Sequence, residues 1–138
     1  MNIPFLLGLI FTSSFLLSLS PAEVYALTPA QVYDKVKDSV VVVKSLDEQG
    51  GEVDLGSGVI LPSGKIGTCC HVLEGGVSFQ VGRGEKFVPS AFYGGDEDKD
   101  ICLLEARGLA GKPAQLGRAE DLKAGVPVYA VGAPREPT

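Results

Sequence analysis

"GSGVILPSGKIGTCCHVL", residues 56–73, decides how this chain is read. Two apolar runs flank Pro62, Ser63 and Gly64, and Pro with Gly at such a break marks a tight turn. The stretch therefore predicts a hairpin of two short strands. It closes on His71, the single histidine of the chain, directly after two of its three cysteines. Three chemistries follow from that juxtaposition. The residues form a metal site, or a thiol nucleophile with its base, or an imidazole whose cysteine neighbours are only packing.

Outward from the hairpin the chain stays β-like. Upstream, "SVVVVKSLD" at residues 39–47 is short and β-branched and reads as a strand. "EQGGEVDLG" at 48–56 reads as a turn around a Gly pair. Downstream, "VSFQVGRGEKFVPSAFYGG" at 77–95 alternates apolar and polar residues about the turn "GRG". "DEDKD" at 96–100 is an acidic loop, and "ICLLEA" at 101–106 a short buried strand. "LGRAEDLKAG" at 116–125 is a loop with room for one helical turn, and "VPVYAVGAP" at 126–134 is a final strand. Short, evenly spaced strands with turn signals between them predict an all-β sandwich or barrel.

One helix precedes the strands. In "TPAQVYDKVKDSV", residues 28–40, Thr28 suits the N-cap and Pro29 the first turn, while Val32, Val36 and Val40 recur every four residues. Before it, Ile3 to Leu19 carries no charge, and "VYA" at 24–26 fits a signal-peptidase site. Residues 1–26 are expected to be a signal peptide, so the remainder is exported, periplasmic or secreted, with no stable membrane association after cleavage. The alternative is a retained anchor. Export permits disulfides.

Length and composition bound the rest. With 138 residues the chain is one domain at most, and 45% hydrophobic residues are enough for a core. A net charge of −5 supplies no basic stripe for phosphates, which excludes nucleic acid as a partner.

Residue geometry weighs the three chemistries. Cys69, Cys70, His71 and Cys102 make a zinc-type donor set, but neighbours on a strand face opposite ways and structural zinc sites space their ligands. The expectation is no metal and no cofactor. A Cys70–His71 dyad meets the same objection. An imidazole base needs a carboxylate on its other nitrogen. Asp100 stands directly before an apolar strand and is expected to be drawn in and desolvated with it, while Asp96, Glu97 and Asp98 stay in water. Asp100 is therefore the natural partner of His71, against the plain alternative of a lone surface histidine.

The order of these motifs resembles the trypsin-like serine peptidases, most closely the bacterial HtrA/Deg type, over residues 40–134. The Gly-Ser-Gly strand start, the Thr68-to-Val72 segment around His71, the Asp100-Ile101-Cys102-Leu103-Leu104 segment and the Val131-Gly132-Ala133-Pro134 strand end follow in family order. The resemblance implies a chymotrypsin-like fold, here the first β-barrel and the first strand of the second. It implies that residues 27–138 are the N-terminal, incomplete part of a peptidase domain. It implies a Ser-His-Asp endopeptidase acting on polypeptides, with His71 the general base, Asp100 its orienter, and the amides of Cys70 and His71 holding the carboxylate. Ser57 matches the strand start and not the nucleophile. The template sets the nucleophile ~90 residues beyond the Asp, but 38 residues follow Asp100 and none after Ser90 is serine. The chain as given is therefore expected to be inactive; the alternative function is a non-catalytic peptide- or protein-binding module. Small residues are common in the family where Cys69, Cys70 and Cys102 stand, so they read as small fillers. A bond from Cys102 to one of the vicinal pair stays open, with one thiol then left free.

Overall fold

A computed structural model describes residues 27–133; the expected signal peptide at 1–26 lies outside the described residues. The described elements are helix α1 (Pro29–Val36) and strands β1 (Val40–Leu46), β2 (Glu52–Ile60), β3 (Ile66–Thr68), β4 (Ser78–Arg83), β5 (Lys86–Asp96) and β6 (Ile101–Ala106). The strands close an antiparallel barrel in the order β1-β2-β3-β6-β5-β4, with β4 returning to β1. Closure leaves the barrel without an unpaired edge. This is the expected all-β architecture, a chymotrypsin-like barrel preceded by a short helix.

Helix α1 starts where the sequence places it. Thr28 Oγ1 accepts a hydrogen bond from Gln31 N at 3.3 Å, and Gln31 Oε1 accepts one from Thr28 N at 2.9 Å. That reciprocal pair satisfies two amide groups the helix end cannot use.

The interior follows the period of two. Val41 and Val43 of β1, Ile66 of β3, Val81 of β4 and Cys102 and Leu104 of β6 are buried. The Gly-Ser-Gly of β2 has a steric origin. A Cβ on Gly56 would lie 2.5 Å from Val72 Cγ2, and one on Gly58 would lie 2.7 Å from Ile66 Cγ2. Both glycines thus face inward where the barrel has no room, and Ser57 between them faces out. Arg83 ties the barrel to its flanks. Its guanidinium donates to the carbonyls of Val40 at 2.6 Å, Ala110 at 2.9 Å and Asp38.

Three local expectations are corrected. The turn at 48–56 is shorter: β2 already begins at Glu52, paired with Leu46. β6 is not buried throughout, because Ile101 and Glu105 face solvent while Cys102 and Leu104 face the core. Residues 126–133 form no strand. A strand needs a ladder, and no described strand offers one here; the segment is fastened instead by Ala133 N donating to Ser57 Oγ at 2.8 Å. Val128 is accordingly 72% exposed.

Candidate active site

The site is assembled from two chain reversals held face to face. The first follows β3. Thr68 is buried and donates its hydroxyl to Ser57 O at 2.9 Å, which fixes the strand end. Cys69 is extended, and Cys70–Leu73 then forms a single 3₁₀ turn. The turn buries Cys70, Val72 and Leu73 and leaves His71 outside. Gly56 sets the depth of that turn, since only a missing side chain leaves Val72 its place.

The second reversal precedes β6. Asp96 caps the 3₁₀ turn Glu97–Lys99, accepting from Lys99 N at 3.2 Å. Asp100 then takes a left-handed conformation at φ 54° and ψ 41°, the only non-glycine residue among those described with positive φ. Aspartate is one of the few residues that visits this region. The kink aims the carboxylate back across to the first reversal.

The two meet at short range. Asp100 Oδ1 accepts from His71 N at 2.9 Å, and Asp100 Oδ2 lies 2.6 Å from His71 Nδ1. An ionised carboxylate only accepts, so Nδ1 carries a proton, and in the neutral imidazole this leaves the lone pair on Nε2. The backbone amide and then the ring of His71 hold the Asp100 carboxyl below the usual carboxylate range, with a smaller contribution from the Cys69 thiol.

The disulfide Cys70–Cys102 staples the two reversals, with Cα atoms 4.9 Å apart. It sits one residue before His71 and two after Asp100. The bond settles which of the vicinal thiols reaches Cys102. It also removes the Cys70–His71 dyad, because Cys70 has no free thiol. Cys69 is free and exposed. Its thiol is pushed above its ordinary value by burial of the sulfur and by the charge of Asp100, to which it hydrogen-bonds. A thiol so held is a poor thiolate nucleophile.

Two expectations about the pair change. Asp100 is not desolvated: its side chain is 44% exposed and that of His71 60%. The carboxylate is fixed by directed hydrogen bonds rather than by burial. Of the two amides expected to hold it, His71 N does so.

A mostly apolar groove of about 600 Å³ runs from Val32 and Val36 of α1, past Val59 and Leu103, to Cys69 and Asp100. Tyr129 and Val131 also line it. It reaches the pair from the Asp100 side, and His71 is not on its wall.

A family model described as the trypsin-like peptidase domain matches residues 56–138, from the glycine pair of β2 through both reversals. The chain belongs to the trypsin-like peptidase family. This trypsin-like chain is also 34% identical over 119 residues to the serine protease PepD of Mycobacterium tuberculosis. The match covers 75% of the chain and 25% of that protein, so the chain spans about a quarter of the length of the curated relative it matches. Among the described residues of the trypsin-like chain, no helix is long and apolar enough to cross a membrane.

Proposed function

We propose that the chain is the His/Asp-bearing part of an exported trypsin-like serine endopeptidase that acts on polypeptides. The observation that carries this reading is the double hold of Asp100 on His71, at the backbone amide and at Nδ1. A positioned imidazole with a free Nε2 lone pair is what a hydroxyl nucleophile needs as its base. In the proposed reaction His71 takes the proton of a serine hydroxyl as its oxygen attacks the scissile carbonyl. His71 then returns the proton to the leaving amine. Asp100 keeps Nδ1–H oriented and offsets the charge of the transient imidazolium.

The nucleophile of this scheme is not among the 138 residues. Ser57 Oγ is engaged with Ala133, and no serine follows Ser90. Residues 27–138 are thus proposed as the N-terminal part of the peptidase domain, with residues 1–26 a cleaved signal peptide.

The test compares this chain with a longer product read in frame past Thr138 that contains Gly-x-Ser-Gly. The longer product is expected to cleave casein, and its Asp100→Asn variant to lose about 10⁴-fold in turnover, as the Ser-His-Asp template does. Equal turnover in the variant would overturn the assignment.

The groove beside Asp100 favours a second reading, a non-catalytic module that holds peptides or a partner protein in that apolar channel. Peptide binding without hydrolysis by the longer product would select it.

A further inference from the structure

Cys69 and His71 flank the buried Cys70 and lie two residues apart on one side of the chain. Asp100 reaches the same side from the second reversal. One donor atom from each, the Cys69 thiol, the His71 imidazole and the Asp100 carboxylate, lies within 4.8 Å of the others. The four-donor set considered from sequence fails, because Cys70 and Cys102 are bonded to each other. The set that the fold assembles is a different one, with a carboxylate in place of two thiols.

The geometry points to a zinc-binding site formed by Cys69, His71 and Asp100. Donors on a tetrahedral zinc ion lie 2.0–2.3 Å from it, and hence roughly 3.5 Å apart. An ion entering the triangle opens the 2.6 Å Nδ1···Oδ2 contact and draws the thiol inward. All three side chains are at the surface or partly exposed, so side-chain rotation achieves this without moving the barrel. The donor types select the ion. A thiolate and an imidazole favour zinc over calcium or magnesium, which take oxygen donors. Three protein donors leave a fourth position for water or a passing ligand. On binding, the imidazole gives up its Nδ1 proton and takes one from solvent at Nε2, Cys69 releases its thiol proton to solvent, and no electrons are transferred.

The consequence for activity rests on the function proposed above. Zinc takes the imidazole and carboxylate that would serve as base and orienter, so a loaded chain cannot supply either. Zinc is then a reversible inhibitor of the peptidase, acting through a cysteine that the proton transfer itself does not use.

Cobalt(II) serves as a spectroscopic probe of the purified chain with its disulfide intact. The expected result is a thiolate-to-cobalt charge-transfer band that saturates at a single equivalent and is erased by added zinc. Cys69→Ser should abolish the band. Cys69→Ala should weaken zinc binding by more than about tenfold, the loss already seen when mere supporting residues of metal sites are replaced. Zinc should also protect Cys69 of the unaltered chain from alkylation by iodoacetamide, a measurement that needs no variant. Absence of the band, its survival in Cys69→Ser, or alkylation unaffected by zinc would overturn the site. None of these readouts involves peptide cleavage. An inactive longer product would defeat the peptidase reading and leave the metal site standing, and the reverse holds as well.

Discussion

Asp100 binds His71 at two points at once, the backbone N–H at 2.9 Å and ring Nδ1 at 2.6 Å, across a separation of 29 residues. The amide contact places the carboxylate and the ring contact fixes the tautomer.

The carboxylate of Asp100 is held below its ordinary range by the His71 amide, then by the ring. A group whose pKa is depressed on folding stabilises the fold fully above its unfolded value, about 3.9 for aspartate. That contribution is lost as pH falls through the lower folded value. Urea unfolding followed below about pH 4 should show stability dropping on acidification, and Asp100→Asn should flatten that limb. An unchanged acid slope in the variant would contradict the account.

The disulfide Cys70–Cys102 spans 32 residues. The loop-entropy model gives about 3–4 kcal/mol for a closure of that length. Replacing both cysteines by Ala should lower stability by an amount of that order, read by urea denaturation. Thiol titration of the denatured, unreduced chain should find one free thiol, Cys69, and find all three after reduction.

Gly56 makes room for Val72, the neighbour of His71. A Cβ there would lie 2.5 Å from Val72 Cγ2. Gly56→Ala is expected to cost about 1–3 kcal/mol by overpacking and to disturb the His71 ring resonances. Gly117→Ala is the control, since nothing lies within 4 Å of its added Cβ; it should stay within ±0.5 kcal/mol, roughly the spread of surface substitutions.

Ser57 holds residue 133 through its hydroxyl and is not positioned by His71. Ser57→Ala should cost about 1 kcal/mol and increase the solvent accessibility of Tyr129, seen as faster iodination. The chain should not be labelled by a fluorophosphonate serine probe. Labelling that disappears in Ser57→Ala would reassign that hydroxyl as a nucleophile.

Much of this was legible in the residues because it is local. The Thr28 cap, the valine run of β1, the hairpin at Pro62–Gly64 and the turn at "GRG" are each specified within a few positions. The alternation at 77–95 was readable as well, whereas the start of β2 at Glu52 was hidden by the Gly pair before it. What sequence could not supply was orientation across the fold. Strand alternation is not what parts Cys70 from His71: residues 70–73 form a 3₁₀ turn that buries Cys70 and leaves His71 outside, and the same turn leaves Cys69 beside His71. Asp100 lacks the burial expected of it; its left-handed turn, not desolvation, aims it. Residues 126–133 have a strand's composition but no partner among the described strands, and composition alone cannot form a ladder.

His71 is the single histidine, so its ring nitrogens give an unambiguous signal in a ¹⁵N spectrum of the uniformly labelled chain. At pH above the imidazole titration, the account predicts the Nδ1–H tautomer, reverting toward the more common Nε2–H form in Asp100→Asn. An Nε2–H tautomer in the unaltered chain, or a spectrum that Asp100→Asn leaves unchanged, would contradict the claim that Asp100 orients His71 for base catalysis.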